Sequence, residues 1–282
     1  MPEQRSLIEQ IENTPIIPNS LAVWGLGQMG LVVKGPDAVL VIDPYLSDLV
    51  GERYGEWGTR LFPPPVLPEQ ITNADYFLIT HEHLDHFDPA TLGPAAAASP
   101  EARFVTTGWC ADLLAAIDIP DDRILFLTAL EPVTLPGTSA RVTVLPSAHY
   151  EKEHDEEKGY RWIGFLIEWN GVTFYHTGDT IIYPGYVEML KALPQVDLAM
   201  IPANGRDHFR ETEGDLTGNL LPIEAARLTQ EMGWGVVIPG HNDLFVRNVI
   251  PMAELTSAFE RVDPRQKVKF LQPGELYYYV KA

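Results

Sequence analysis

Residues 80–86 read Thr-His-Glu-His-Leu-Asp-His, which puts three imidazoles (His81, His83, His86) and one carboxylate (Asp85) within six positions. They directly follow the apolar run Tyr76-Phe77-Leu78-Ile79, which reads as a buried strand. Neutral imidazole and carboxylate are borderline-to-hard ligands that suit zinc, manganese or iron, and alternating residues 81 and 83 can face one ion. Asp85 and His86 then point elsewhere, which implies a second ion beside the first. The competing reading is a polar loop with solvated histidines, and it is disfavoured because the rest of the chain offers the missing ligands.

Three further candidates occupy equivalent places. His149 comes just after Val142-Thr143-Val144-Leu145. Asp179 follows Val172-Thr173-Phe174-Tyr175 by way of His176-Thr177-Gly178, and His241 follows Val236-Val237-Ile238-Pro239-Gly240. Together with His81, metal-capable side chains stand at the C-terminal ends of four separate strands. Open α/β sheets gather their sites along such an edge, on loops held by a rigid scaffold. Glycines 178 and 240 are expected to relax the backbone so that the next side chain can turn inward. Any one of these residues alone would more often be structural; the joint pattern is what is specific.

The elements that must position them can be read coarsely. A short amphipathic helix is expected over 3–13, followed by strands at 21–24, 31–34 and 39–43. Gly25-x-Gly27-x-x-Gly30 imitates a dinucleotide fingerprint, but that motif requires a helix after the glycines and an acid about 20 residues further on. Here Leu31-Val32-Val33-Lys34 continues as strand, and Asp43 comes one turn and one strand later. The segment is therefore expected to be a hairpin. Residues 51–68, rich in Gly, Pro, Arg and aromatics, read as an ordered loop beside a site. Strands at 76–80, 103–107 and 124–127 alternate with helices near 89–98 and 110–117. A second block has strands at 141–146, 162–169, 172–176, 197–202, 235–239, 268–271 and 276–280, with helices near 186–192, 222–232 and 251–262. With no low-complexity linker, residues 1–282 are expected to form one α/β domain whose two sheet-forming halves meet near residue 140.

On these residues the chain resembles the metallo-β-lactamase-fold hydrolases. Their motif His-x-His-x-Asp-His stands here as His81-Glu82-His83-Leu84-Asp85-His86, and their later single ligands match His149, Asp179 and His241. The resemblance runs from about Gly25 to Phe245. It implies an αββα four-layer sandwich with two divalent metal ions. His81, His83 and His149 would hold one, and Asp85, His86 and His241 the other, with Asp179 bridging. Trp24-Gly25-Leu26-Gly27-Gln28-Met29-Gly30, His176-Thr177-Gly178-Asp179-Thr180 and Pro239-Gly240-His241-Asn242-Asp243 look most like the L-ascorbate-6-phosphate lactonase branch. This chain has less after its last ligand than those lactonases carry, and basic groups for a sugar phosphate do not match one by one.

Two cations sharing a carboxylate bind a water between them and lower its pKa toward neutrality, so the expected chemistry is hydrolysis of a small lactone or ester by a metal-bridging hydroxide. Zinc and manganese both suit the ligands, and iron would allow an oxidoreductase or dioxygenase on the same set; phosphodiester cleavage is a further alternative. Catalytic roles fall to Asp85 and Asp179, with His176 either a proton carrier or a structural imidazole beneath the site. Asn204 and Arg206, in Asn204-Gly205-Arg206-Asp207-His208-Phe209-Arg210, are candidate contacts to an anionic substrate, although Arg206 would equally pair with a nearby carboxylate. Acceptors for the second ring nitrogens of the ligand histidines are sought in Glu82, Asp88 and Asp243. The acidic run 151–157 reads as a solvated loop or a lid, with His154 solvated.

Composition narrows the partners. A net charge of −19 argues against nucleic acid and anionic membrane surfaces as general partners, and leaves a small molecule. The single Cys110 excludes an internal disulfide and fits a reducing compartment. No apolar h-region opens the chain and no stretch is suited to span a bilayer, so a cytoplasmic enzyme is expected, as a monomer or homo-oligomer.

Overall fold

Strand alternation builds the core. In β1 (Ser20–Gly27), Leu21 and Val23 face one way while Ala22, Trp24 and Leu26 face the other, and all five are buried. A strand buried on both faces needs a layer on each side. The computed structural model describes residues 6–149, 151–213 and 218–281, and it supplies both layers.

The first sheet contains β1, β2 (Gly30–Lys34), β3 (Val39–Ile42), β4 (Tyr76–Leu78), β5 (Arg103–Thr106) and β6 (Ile124–Phe126). The second contains β7 (Pro132–Thr134), β8 (Arg141–Pro146), β11 (Ile163–Trp169), β12 (Val172–His176), β13 (Leu198–Pro202), β14 (Val236–Gly240) and β15 (Lys267–Val268). Between β8 and β11 lies a small separate hairpin, β9 (His154–Asp155) with β10 (Gly159–Tyr160). The last strand, β16 (Leu276–Val280), returns to the first sheet and pairs antiparallel with β1.

One cluster fills the space between the sheets, with Leu21, Val23, Leu40 and Leu78 meeting Val142, Phe165, Phe174 and Ile238. Outside the first sheet pack α1 (Leu7–Asn13), α3 (Pro89–Ala98) and α4 (Ala111–Ala116), through Leu7, Ile11, Leu92 and Leu114. Outside the second pack α5 (Tyr186–Lys191), α7 (Pro222–Met232) and α8 (Met252–Val262), through Leu190, Leu228, Leu255 and Phe259. The order is helix, sheet, sheet, helix, the αββα sandwich that the resemblance implied. Two short helices, α2 (Leu49–Tyr54) and α6 (His208–Glu213), lie in the loops.

The expected hairpin at the glycine motif is present, with β1 and β2 antiparallel around Gln28 and Met29. The change of sheet falls between Phe126 and Pro132, earlier than the expected position near residue 140. The cause is β7, three residues long and half exposed, which carries too few alternating positions to be read as a strand. The 268–271 strand is shorter than expected, ending at Val268. Among the described residues no helix is long and apolar enough to cross a membrane.

Candidate metal centre

The parallel strands β3, β4 and β5, and likewise β12, β13 and β14, run so that their C-terminal ends share one edge of the sandwich. Each expected ligand leaves that edge on a loop. His81 and His83 follow β4, with Asp85 and His86 in the same turn, while His149 follows β8, Asp179 follows β12 and His241 follows β14. The fold gathers all seven into three overlapping groups: His81, His83 and His149; His81, His86 and Asp179; and Asp85, His86 and His241. Within each group the ligand atoms lie within 4.8 Å of one another.

Asp179 ties the groups together. Its Oδ2 stands 3.1 Å from His241 Nε2 and 3.4 Å from His149 Nε2, and its Oδ1 stands 3.3 Å from His86 Nε2. Asp85 Oδ2 lies 3.2 Å from His241 Nε2. The residues fit a metal site. His81 Nε2, His86 Nε2, His149 Nε2 and Asp179 Oδ1 are buried with no hydrogen-bond partner among the described residues, an arrangement that is costly unless another group is meant to engage them.

The two ligand sets differ electrostatically. Burial pushes the imidazoles of His81, His83 and His149 down, His149 to about 4, so their lone pairs are open near neutrality. Burial acts in the same direction on His86 and His241, but neighbouring carboxylates overcome it. Asp179, Asp85 and Asp43 hold His86 well above the ordinary imidazole value, and Asp179 and Asp85 bring His241 up to about 9. In return these imidazoles hold Asp179 and Asp85 below the carboxylate range despite burial. Positive charge is required here, and protons supply it where cations would otherwise do so.

The partners that orient the ligands are not the expected ones. Asp43 Oδ2 accepts from His86 Nδ1 at 2.8 Å and from Thr80 Oγ1 at 2.6 Å, and its Oδ1 accepts from the Thr80 N–H. With its proton given to Asp43, the Thr80 hydroxyl is left to accept from His81 Nδ1 at 3.0 Å. One buried carboxylate thus fixes the tautomer of two ligands and turns both Nε2 atoms toward the cluster. Glu82 instead pairs with Arg161, Asp88 caps α3, and Asp243 accepts from the Gln28 N–H. Gln28 is a second residue that the sequence reading passed over. Its Nε2 donates to Asp85 Oδ2 at 2.9 Å and lies 3.2 Å from His241 Nδ1. The available signals were its place between Gly27 and Gly30, and an aspartate ending a strand at 43.

Backbone geometry at the edge is specialised. Gln28, Asp43 and His241 all have positive φ (58°, 42° and 61°), a conformation non-glycine residues adopt rarely and often at functional sites. Gly178 has φ +60°, as its expected role requires. Gly240 does not belong to that class: it has no positive φ, and a Cβ there would meet the ends of the Met200 and Met29 side chains at 2.5 and 2.8 Å and the Gln28 carbonyl at 3.0 Å. His241 makes the inward turn itself, held by its N–H donating to the Gln28 carbonyl at 2.9 Å.

Other expected contacts are redistributed. His176 is fully buried; its Nε2 donates to the Met29 carbonyl at 2.8 Å and its Nδ1 accepts from the Gly178 N–H at 3.2 Å. Both nitrogens are engaged, an arrangement in which His176 braces the turn before Asp179. Arg206 grips Glu224 through Nη1 and Nη2, each at 2.7 Å, and Nη1 also donates to the Asn219 carbonyl. It braces two loops, which is the alternative its sequence context allowed. Asn204 is fully buried next to the edge. The 51–68 segment lies beside the loop after His241, through Leu61 N–H donating to the Leu244 carbonyl. His154 is exposed on β9, and Cys110 is buried with its thiol pushed up to about 12, so it offers no nucleophile.

Two sheets between helices with a His/Asp cluster on their shared edge define the metallo-β-lactamase-fold metal-dependent hydrolases. The chain belongs to the beta-lactamase superfamily, whose domain matches residues 39–242. It is 23% identical to a probable L-ascorbate-6-phosphate lactonase from Escherichia fergusonii, over 94% of this chain and 81% of the relative. A metal-dependent hydrolase of Methanoculleus marisnigri is 28% identical over 75% of this chain and 85% of its own length. Among solved structures, an isothiocyanate hydrolase from Delia radicum gut bacteria superposes with a TM-score of 0.71 at 18% identity, covering 92% of this chain and all of that one.

Proposed function

We propose that this protein hydrolyses a small lactone or a closely related ester, and that Asp179 is the residue on which the reaction depends. The observation that carries the reading is the reach of its carboxylate to His149 of one ligand set and to His86 and His241 of the other. His81, His83 and His149 would hold one divalent ion and Asp85, His86 and His241 the other, with Asp179 shared. When bound, such a pair supplies a Lewis acid and an activated water.

The chain's own residues do the rest. Asp43 and Thr80 keep the two imidazoles pointed inward, and Gln28 donates its amide to Asp85 Oδ2. Asp85, 18% exposed, is the cluster carboxylate that solvent reaches, so a proton released during attack has an exit beside it. The lactonase named among the relatives supports a lactone, and L-ascorbate 6-phosphate is its specific form. Arg161 and Arg206 are both paired with carboxylates, which favours testing a non-phosphorylated lactone alongside it.

The test is ring opening of L-ascorbate 6-phosphate and of D-ribono-1,4-lactone by protein loaded with manganese or zinc, with Asp179→Asn as control. Metal-dependent turnover is expected, lost by at least about a hundredfold in the variant, since even outer partners of a metal site cost 10–100-fold. No opening of either ring by fully loaded protein would overturn the lactone reading.

A further inference from the structure

The imidazoles assigned to one ion come from both sheets. His81 and His83 leave β4 of the first, and His149 leaves β8 of the second. Asp43 and Thr80 orient His81 by hydrogen bonds. Nothing of that kind reaches His149, whose ring nitrogens both lack a hydrogen-bond partner among the described residues. The contacts its ring does make are with other rings. Trp162 stands with its centroid 5.4 Å away and its plane at 81°, and His83 lies 5.0 Å away.

The strip from Arg161 to Ile163, which leads into β11, fastens the two ligand stems together. The Ile163 N–H donates to the carbonyl of Thr80, the residue before His81, at 3.3 Å. The Trp162 carbonyl accepts at 3.0 Å from the N–H of Ser147, two residues before His149. Arg161 adds a side-chain tie. Its Nε donates to Glu82 Oε1, between His81 and His83, and its Nη1 donates to Glu153 Oε2 at 2.9 Å. Its guanidinium carbon lies 4.7 Å from the ring centroid of Trp162 and 5.4 Å from that of Trp109. Trp109 is fixed in turn, its indole N–H donating to the Gly159 carbonyl at 3.0 Å.

Each link alone is weak. Arg161 is 31% exposed and Glu82 19%, and an ion pair open to solvent contributes little by itself. The hold comes from sharing one group among several partners. A planar guanidinium can bond carboxylates through its edge while its face covers an indole, which a lysine ammonium cannot do. A continuous path of contacts results, from Glu82 through Arg161 and Trp162 to His149.

We propose that Arg161 and Trp162 are positioning residues of the metal centre, which fix His149 against His81 and His83 across the two sheets. Ligand groups must be held within about 0.5 Å of their working geometry, and His149 is the member of its set that comes from the other sheet. The pair does by packing what Asp43 does by hydrogen bonds. The proposal rests on the assignment of His81, His83 and His149 to one ion, and it is independent of the substrate.

Cobalt(II) tests it without turnover, because its visible absorption reports coordination geometry and a competing chelator gives its affinity. The ion is titrated into metal-free wild type, Arg161→Met, Trp162→Leu and Trp162→Phe. The ion lost in His241→Ala marks the other ligand set. The ion that His241→Ala retains is expected to bind about tenfold more weakly in Arg161→Met and in Trp162→Leu, with an altered absorption band. The other ion should keep its affinity, and Trp162→Phe, which restores a ring beside His149, should recover most of the loss. Should Trp162→Leu not fold, Arg161→Met and Trp162→Phe carry the same comparison. Unchanged affinity and absorption in Arg161→Met would overturn the proposal, as would equal weakening of both ions or a phenylalanine no better than leucine. Wild-type protein that takes up no cobalt after His241→Ala has defined the sets would overturn the ligand assignment, and the proposal with it. Failure to open a lactone would leave both standing.

Discussion

Asp43 Oδ2 lies 2.8 Å from His86 Nδ1, and both groups are wholly buried. The same carboxylate orients His81 through Thr80, so one residue outside the ligand set controls two residues inside it. Asp43→Asn keeps the shape but loses the charge and can present an N–H where an acceptor is needed. Metal affinity is expected to fall by about 10–100-fold. Competition against a chelator of known affinity checks this, and wild-type affinity in the variant would refute the role.

Metal uptake by the two ligand sets should respond differently to pH. In the metal-free protein His241 keeps its proton up to about pH 9, and His86 is also held above the usual value. A cation entering that set near pH 7 must displace these protons, so its binding weakens as pH falls from about 9 and releases protons to the buffer. The set of His81, His83 and His149 has lowered values, His149 about 4, and should keep its ion well below neutrality. Titration calorimetry in buffers of different ionisation enthalpy measures the proton count. Identical pH profiles for both ions would contradict the assignment.

Stability of the chelated protein follows with the opposite sign. Because the folded-state value of His241 lies above that of a free imidazole, its contribution is complete below about pH 6.5 and lost as pH rises toward about 9. Metal-free protein should therefore melt at lower temperature at pH 9 than at pH 6.5. A melting temperature that does not fall over this window would show that the buried charge cluster is not what stabilises the apo edge.

Gln28 can be probed without disturbing its backbone. Its φ of 58° suits glycine, so Gln28→Gly removes the amide while the Gln28 carbonyl can still accept from His241 N–H. With Asp85 Oδ2 no longer receiving the Gln28 amide, the second ion is expected to bind about tenfold more weakly. The ion held by His81, His83 and His149 should be unaffected. Metal counting at limiting concentrations distinguishes selective loss from loss of both, and the latter would point to general misfolding.

The residues of the cluster were legible in the sequence because each sits at a fixed offset from a readable strand. His81 and His83 follow an apolar run, and Asp179 and His241 end runs with glycine just before them. The residues themselves gave an α/β domain with two sheet-forming halves, and the four layers came from the resemblance to the metallo-β-lactamase fold. Elements without periodicity, such as Pro132–Thr134 and the 154–160 hairpin, left no such trace.

Tertiary structure alone decided which side chains serve those ligands. Asp43 is 43 residues from His86, and Gln28 is 213 from His241, distances at which no spacing rule operates. His176 at the end of β12 and Arg206 in the loop after β13 carried the right chemistry, yet packing gave their polar atoms to Met29, Gly178, Asn219 and Glu224. A sequence states which groups are available at each strand end. Which of them keep an unshared lone pair or proton depends on what the folded chain brings within hydrogen-bond reach.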